Sequence, residues 1–324
     1  MIIYSKRAIA MSFNWIFAII AGVFILFFAI YFASQFINTG EQKINTETAA
    51  KLISYLSPLE SGFASGLKPE EINFKKETRT FYTCSEDKNI FGEQTLAFSE
   101  KGLGKDYGKK SLAVPIKNKY VFAEDVVEGK KISIFSKPFS MGFLVGDIIA
   151  ISSKDYCFFK APNDFKESLQ GMGNIRFEEN NLNNCTGTKV CFSNDLKCDI
   201  IVNGDCNSDC KSNFDYGTIV NKEKGFSVGY MDNLVYGGIF SSSQIYECNV
   251  KRLMKRFNQL GLVYLDKNKI LKEKACDSDV ENVLTTMMDS AKELKSSKEI
   301  TSFYSEIKSM DLINKVSAIG CGIY

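Results

Sequence analysis

Cysteine is the residue type in this sequence with the clearest capacity for chemistry. An even number of cysteines, all beyond the apolar N-terminal stretch, favours disulfide bonds formed in an oxidising compartment. The competing interpretation is a zinc site built from the central cysteines, whose spacing lacks the paired Cys-x-x-Cys motifs that bring two sulfurs to one metal. We therefore predict a disulfide-stapled domain with no metal site. The ten disulfide candidates are Cys84, Cys157, Cys185, Cys191, Cys198, Cys206, Cys210, Cys248, Cys276 and Cys321.

Catalytic chemistry is poorly represented in the sequence. The chain has no histidine, which excludes Ser-His-Asp triads, histidine zinc sites and an imidazole general base. Ser85 and Lys88 match a Ser-x-x-Lys pattern, but the companion motifs of acyl-serine enzymes are absent. The sequence therefore predicts a protein that is not an enzyme, with no catalytic residues and no cofactor.

One loop has the opening pattern of a calcium site. Asp205, Asn207 and Asp209 stand at alternate positions, and oxygen ligands at that spacing suit a hard cation. The position of the loop glycine is Cys210 and the twelfth position is Tyr216, which excludes an EF-hand. We expect a polar loop held by its cysteines.

The charges favour neither nucleic acid nor an acidic polymer, because 40 basic and 38 acidic residues leave a formal charge of only +2. One local group, Lys251, Arg252, Lys255 and Arg256, forms a basic face on a predicted helix. Such a face could meet phosphates or an acidic glycan, but the simpler expectation is a solvated helix surface.

A single Asn-x-Ser/Thr sequon runs from Asn184 through Cys185 to Thr186. It lies in a loop-like stretch, so Asn184 is a candidate glycosylation site if that stretch is outside the cell. A chance match is an equally good explanation of the sequon.

A membrane anchor is the strongest prediction. Phe13–Ile37 contains about 25 residues without a charge, enough to cross a hydrocarbon core of roughly 30 Å. Lys6 and Arg7 precede this span, whereas the charges that follow it balance, so the positive-inside rule puts residues 1–12 in the cytoplasm. The remaining chain is then extracellular, and the lipid bilayer is a partner through Phe13–Ile37.

The rest of the chain predicts an α+β fold. The helix should continue as a stalk over residues 38–57 and end at Pro58. Residues 58–240 should form a β-rich ectodomain with a mostly antiparallel sheet, and a short helix should begin near Pro162. Residues 241–324 should form a helical subdomain with an αα-hairpin, because Ser278 and Ser296 each open an S-x-x-E capping box.

Helix geometry predicts one disulfide in particular, between Cys276 and Cys321. Cys276 precedes the first hairpin helix and Cys321 follows the second, and these two points lie at the same end of an antiparallel hairpin. The alternative is a bond between Cys321 and Cys248.

Four segments are informative together: SKRAIAMSFNWIFAIIAG, VCFSNDLKCDI, LVYGGIFSSSQIYECNVKRLMKRF and the terminal CGIY. They resemble a family of uncharacterised archaeal membrane-anchored surface proteins. The resemblance spans most of the chain and is most specific in YGGIFSSSQIYECNVKRLMKRF. It implies an archaeal cell-surface location and supplies no activity or site residues.

The N-terminus also resembles an archaeal type IV pilin signal, in which a basic residue and a small residue precede the cleavage point. Here Lys6 and Arg7 would precede a processing junction between Ala8 and Ile9. Ile9 stands where such signals commonly have Gln, and Phe13 stands where many pilins have Glu.

Two functional hypotheses follow. The first is a single-pass surface protein with a binding or structural role and with surface proteins or glycans as partners. The second is a pilin-like or pseudopilin-like subunit of an archaeal type IV filament or secretion system, with pilus partners.

Overall fold

The structure is a computed structural model that describes residues 13–55, 69–102, 106–193, 197–205, 212–274, 276, 279–317 and 321–324. Six helices are present in this part of the chain: α1 Phe13–Tyr55, α2 Asn163–Leu169, α3 Leu234–Phe240, α4 Ser243–Glu273, α5 Val280–Glu293 and α6 Phe303–Ser317. Two 3-10 turns lie at Leu182–Asn184 and Ser297–Ser302.

Twelve strands lie between α1 and α3 in the described residues. The first six are β1 Glu70–Ser85, β2 Glu93–Glu100, β3 Val114–Ile116, β4 Tyr120–Phe122, β5 Val126–Met141 and β6 Phe143–Ser152. The second six are β7 Tyr156–Phe159, β8 Ile175–Glu178, β9 Thr188–Cys191, β10 Ile200–Gly204, β11 Tyr216–Asn221 and β12 Phe226–Met231. The α+β class is confirmed.

The N-terminal half of α1 is apolar and has no protein around it. Trp15–Gln35 is long and hydrophobic enough to cross a membrane, with a mean hydropathy of 2.8 and none of that window buried. An uncovered surface of this size is unfavourable in water and favourable in hydrocarbon. An apolar N-terminal helix followed by a disulfide-bonded domain is typical of a membrane-anchored or secreted protein.

The last turns of α1 pack on the domain. Ala49 and Leu52 are buried in a cluster with strand residues that include Leu96 and Ile116, and the Leu112 amide donates to Thr46 Oγ1 at 3.3 Å. Within the helical stalk expected over residues 38–57, the part from Thr46 to Leu52 therefore lies against the β2–β3 edge; the expected end at Pro58 lies outside the described residues. The two apolar side chains, three positions apart on one helix face, account for this docking.

The strands form two six-stranded sheets, each with its own pattern of pairing. The first has the order β3-β2-β1-β5-β6-β4 and is antiparallel except for the β4–β6 pair. The second has the order β12-β11-β10-β9-β7-β8, and its pairs from β8 to β10 are parallel. The predicted mostly antiparallel sheet is correct for the first sheet and wrong for the second. The physical reason is α2, which begins after Pro162 as predicted and returns the chain so that β8 runs parallel to β7.

The C-terminal helices share one hydrophobic core with both sheets. This core contains Phe122 and Phe143 of the first sheet, Phe158 of the second, Phe240 of α3 and Phe257 of α4. The described helices of residues 241–324, expected as a helical subdomain, thus contribute to the same core as the sheets.

The predicted αα-hairpin corresponds to α5 and α6, which pack against each other, and α5 also packs against α4. The residue before α5 is Asp279, whose side chain makes no capping bond; Ser278 lies outside the described residues. Ser296 does accept from the Lys298 amide at 3.1 Å, and Glu299 accepts from the Lys295 amide. This second capping box opens a 3-10 turn, and α6 follows at Phe303.

Four disulfides crosslink the described residues. They join Cys84 to Cys248, Cys157 to Cys185, Cys191 to Cys198, and Cys276 to Cys321. The Cys276–Cys321 prediction is confirmed, with Cα atoms 5.2 Å apart, and the alternative partner Cys248 is bonded to Cys84 on β1. Cys206 and Cys210 lie outside the described residues.

Candidate functional site

A cavity lies where α4 crosses the first sheet. Its volume is about 470 Å³, and its walls come from the β1–β2 turn, β3, the β3–β4 turn, β6 and one face of α4. A cavity of this size accommodates a small organic molecule. Two arginines of the predicted basic face, Arg252 and Arg256, line it.

Arg252 is buried, with 3% of its surface exposed, so the expectation of a solvated basic face is wrong at this position. Its Nε donates to the Phe91 carbonyl at 3.2 Å. Its Nη1 donates to three oxygens: Asn249 Oδ1 at 2.7 Å, the Lys119 carbonyl at 3.2 Å and Gln94 Oε1 at 3.3 Å. These acceptors are all neutral, and Arg252 forms no ion pair with a carboxylate in the described residues.

The polar groups around Arg252 tie α4 to two strands. Gln94 of β2 donates to the Val121 carbonyl and accepts from the Val121 amide, at 2.6 and 3.0 Å. Asn249 of α4 donates to the same carbonyl at 2.7 Å. The buried amides therefore fix the oxygen atoms that receive Arg252, which holds the guanidinium in one orientation.

Gly92 makes room for the arginine stem. Its φ of +68° lies in the left-handed region, and a Cβ at this position would stand 2.9 Å from both Arg252 Cγ and the Ser85 carbonyl oxygen. Only glycine satisfies both constraints without displacing neighbours. The short Phe91-Gly92-Glu93 segment thus presses its backbone against the arginine.

Aromatic rings flank both arginines. The Arg252 guanidinium carbon lies 5.0 Å from the centre of the Tyr120 ring, and that of Arg256 lies 5.9 Å from the Phe91 ring. Cations over aromatic faces are stabilised by the ring quadrupole. Burial lowers the pKa of Arg252, and the nearby Tyr120 opposes that change; the guanidinium nevertheless keeps its charge at any physiological pH.

The other members of the basic face behave differently. Lys251 forms an ion pair with Glu86 at 2.9 Å, and Lys255 donates to the Glu86 carbonyl. Arg256 is exposed at the mouth of the cavity. The four cations therefore split into one buried arginine, two lysines engaged with the β1–β2 turn and one exposed arginine.

Two asparagines at the cavity rim adopt left-handed backbone conformations. Asn89 has a φ of 62° and Asn118 a φ of 56°, and both line the cavity. Asparagine is the non-glycine residue that best tolerates this region. The two turns are therefore sharply bent at the points where they border the opening.

The lining combines charged, amide, aromatic and apolar side chains. It contains no serine, threonine, cysteine or histidine among its described residues, and in the described chain no three metal-ligating side chains form a group that could hold an ion. The lining supplies three cations, two carboxylates, aromatic surface and apolar side chains such as Leu144 and Leu260.

The remaining predicted sites lie away from the cavity. Asn184 is exposed at the end of a 3-10 turn, and its neighbour Cys185 is bonded to Cys157. Of the calcium-like loop, Asp205 is described and its amide donates to the Tyr216 carbonyl, while Asn207 and Asp209 lie outside the described residues. The processing junction at Ala8 and Ile9 lies outside them as well.

The sequence did carry one signal for Arg252. It stands seven residues after Ile245, which is buried on α4, and next to buried Leu253. A residue seven positions along a helix returns to nearly the same face, so the apolar stripe itself indicated that Arg252 points inward. Tyr120, Gln94 and Phe91 gave no comparable signal, because they approach the arginine only through sheet pairing.

No family model, curated protein or solved structure matches this chain. Support for a function therefore comes from the apolar helix, the crosslinks and the arginine cavity. The resemblances to archaeal surface proteins and to type IV pilin signals stay predictions.

Proposed function

We propose that this chain is a single-pass, membrane-anchored surface protein whose disulfide-stapled domain binds a ligand on the outer side of the membrane. The observation that carries the proposal is the join between an uncovered apolar helix, Trp15–Gln35, and a domain with four disulfides. Disulfides persist in oxidising compartments and are rare in the cytosol.

Two independent properties support the same orientation. Lys6 and Arg7 precede the apolar helix, and basic flanks favour the cytoplasmic side. Every cysteine in the described residues is bonded to another cysteine, which favours an oxidising compartment on the opposite side for the domain. The helix passes from the apolar stretch to Ala49 without a break, so it would hold the domain about 20 Å from the bilayer at 1.5 Å per residue.

The experiment is a thiol count combined with protease access. Intact cells are treated with a protease and, separately, the purified full-length protein is denatured without reductant and alkylated. We expect digestion of the domain in intact cells and few or no reactive thiols until reductant is added. A domain protected until lysis, or ten reactive thiols without reductant, would contradict the proposal.

A pilin-like subunit is the second candidate, and one feature of α1 favours it. The helix has 43 residues; its first half is uncovered, and its last turns pack on the first sheet. Such a helix could pack against copies of itself in a filament after release from the bilayer. N-terminal sequencing of the mature protein separates the candidates, because a chain that begins at Ile9 supports processing and an intact Met1 supports a plain anchor.

A further inference from the structure

We infer that the cavity at Arg252 binds a small organic monocarboxylate, with the carboxylate on the two arginines and an apolar body against the opposite wall. This inference deepens the proposed binding role of the domain and rests on it.

Arg252 is a buried cation whose hydrogen-bond acceptors in the described residues are all neutral. Burying an ionised group is costly unless an opposite charge or a full set of hydrogen bonds compensates it. Arg252 is 97% buried, and its hydrogen bonds within the described residues come from Nε and Nη1. A carboxylate in the cavity would supply an acceptor for Nη2 and a negative charge beside the guanidinium.

The side chains that line the cavity carry slightly more positive than negative charge. Its cations are Lys117, Arg252 and Arg256, and its carboxylates are Glu93 and Asp147. Glu93 also pairs with Lys88 at 3.3 Å. The cavity thus has a small excess of positive charge, which suits one negative charge. A phosphate dianion would be repelled by the two wall carboxylates.

The cavity also has an apolar wall that could hold the body of the ligand. Phe91 lies beside Arg256, and Leu144 and Leu260 line the same space. Leu144 is 50% exposed, although it stands on a strand whose neighbours are buried. An apolar ligand body placed against these side chains would remove their surface from water, at about 25 cal/mol per Å².

The test uses the full-length protein in a neutral detergent and two isosteric probes, benzoate and benzamide. They have nearly the same shape and differ in charge, so a preference between them reports the arginines. We expect benzoate to bind saturably by calorimetry with a Kd of about 1 mM or tighter, and benzamide to bind at least about tenfold more weakly. Inorganic phosphate, as the dianion probe, should bind more weakly than benzoate.

The informative variant is Arg256→Gln, because Arg256 is exposed and its loss removes no hydrogen bond that holds the fold. We expect about fivefold weaker benzoate binding and an unchanged Tm. Arg176→Gln is the matched control, since Arg176 is exposed on β8 in the other sheet, and it should bind benzoate like the unaltered protein. Arg252→Lys keeps the charge but loses the planar fork, and it should weaken benzoate binding by about tenfold where circular dichroism finds it folded.

Equal binding of benzoate and benzamide, tighter binding of phosphate, or an Arg256→Gln affinity equal to that of Arg176→Gln would overturn the inference. Absence of benzoate binding would overturn it too. Binding is measured on purified protein and orientation on intact cells. The binding site can therefore be refuted while the anchored topology is supported, and the topology can be refuted while the binding site is supported.

Discussion

Removing the disulfide between Cys276 and Cys321 tests how the C-terminal helices are held. The bond joins the residues before α5 to the chain after α6, across a sequence separation of 45 residues. In the chain-entropy model, closing a loop of that length removes about 4 kcal/mol of unfolded-state freedom. We expect the double variant Cys276→Ser/Cys321→Ser to lose about 4 kcal/mol of unfolding free energy, or roughly 10 °C of Tm.

The native contacts of the C-terminal tail should survive this change. Asn314 of α6 accepts from the Ile323 amide at 2.7 Å and donates to the Tyr324 carbonyl at 2.9 Å. Ile323 is 1% exposed, and Lys267 donates to its carbonyl. The loss of stability should therefore come from the unfolded chain, which gains freedom, and not from release of the folded tail.

The assay is equilibrium unfolding in urea of the full-length protein in detergent, without reductant. The comparison variant is Cys191→Ala/Cys198→Ala, whose bond spans only 7 residues and should cost about 2 kcal/mol. The reasoning is refuted if the short-loop variant loses as much stability as the long-loop variant, or if the long-loop variant loses less than about 1 kcal/mol.

Three further predictions concern single residues. Leu52→Ala should lower the unfolding free energy by about 2–3 kcal/mol, since Leu52 is 4% exposed against the first sheet. Lys51→Ala, at an exposed position one residue earlier, should change the unfolding free energy by less than about 0.5 kcal/mol. Equal effects of the two substitutions would contradict the docking of α1. Gly92→Ala should lower the unfolding free energy by at least about 1 kcal/mol more than Gly225→Ala. Both glycines have a φ near +68°, but only Gly92 lies against Arg252. Thermal unfolding of the two variants measures the difference. Hydrogen bonds from Tyr107 and Arg79 lower the pKa of Glu128 below its usual 4.5. The ionised carboxylate therefore stabilises the fold above pH 4.5, and this stabilisation is lost as the pH falls through the lowered pKa. Glu128→Gln should be less stable than the unaltered protein at about pH 7, and a stability difference that persists undiminished at the lowest pH would count against the interaction.

The features that could be predicted from the sequence are those set by local pattern. The uncharged stretch of Phe13–Ile37 predicts a long apolar helix from length alone, and β-branched and aromatic runs predict strands at the positions of β1, β2 and β6. The Cys276–Cys321 bond was within reach because helix geometry brings both ends of a hairpin together.

The features that could not be predicted depend on long-range pairing. The apolar run of Tyr156–Phe159 gives no information on whether its neighbours run parallel or antiparallel, and β8 and β9 both pair with it in parallel. The hairpin of β11 and β12 fell inside the expected β-rich region but was not identified as two strands, although Gly225 with its φ of +69° turns the chain between them.

The sequence did not predict the cavity at Arg252, for a specific physical reason. A helical basic face is usually solvated, and composition alone could not reveal that a glycine turn and two amides enclose Arg252. Its position seven residues after Ile245 was the only local indication. Enclosure depends on β2 and β4, which are more than 120 residues away in the sequence.

The Cys84–Cys248 bond has a consequence for how the chain is made. In the proposed orientation Cys84 reaches the outside first, and its partner follows 164 residues later. The Cys157–Cys185 and Cys191–Cys198 bonds span only 28 and 7 residues, so they can form as soon as those segments emerge. During translocation the Cys84 thiol is therefore exposed to several other cysteines before Cys248 emerges. Disulfide exchange in the maturing compartment would correct any bond that Cys84 forms with one of these cysteines.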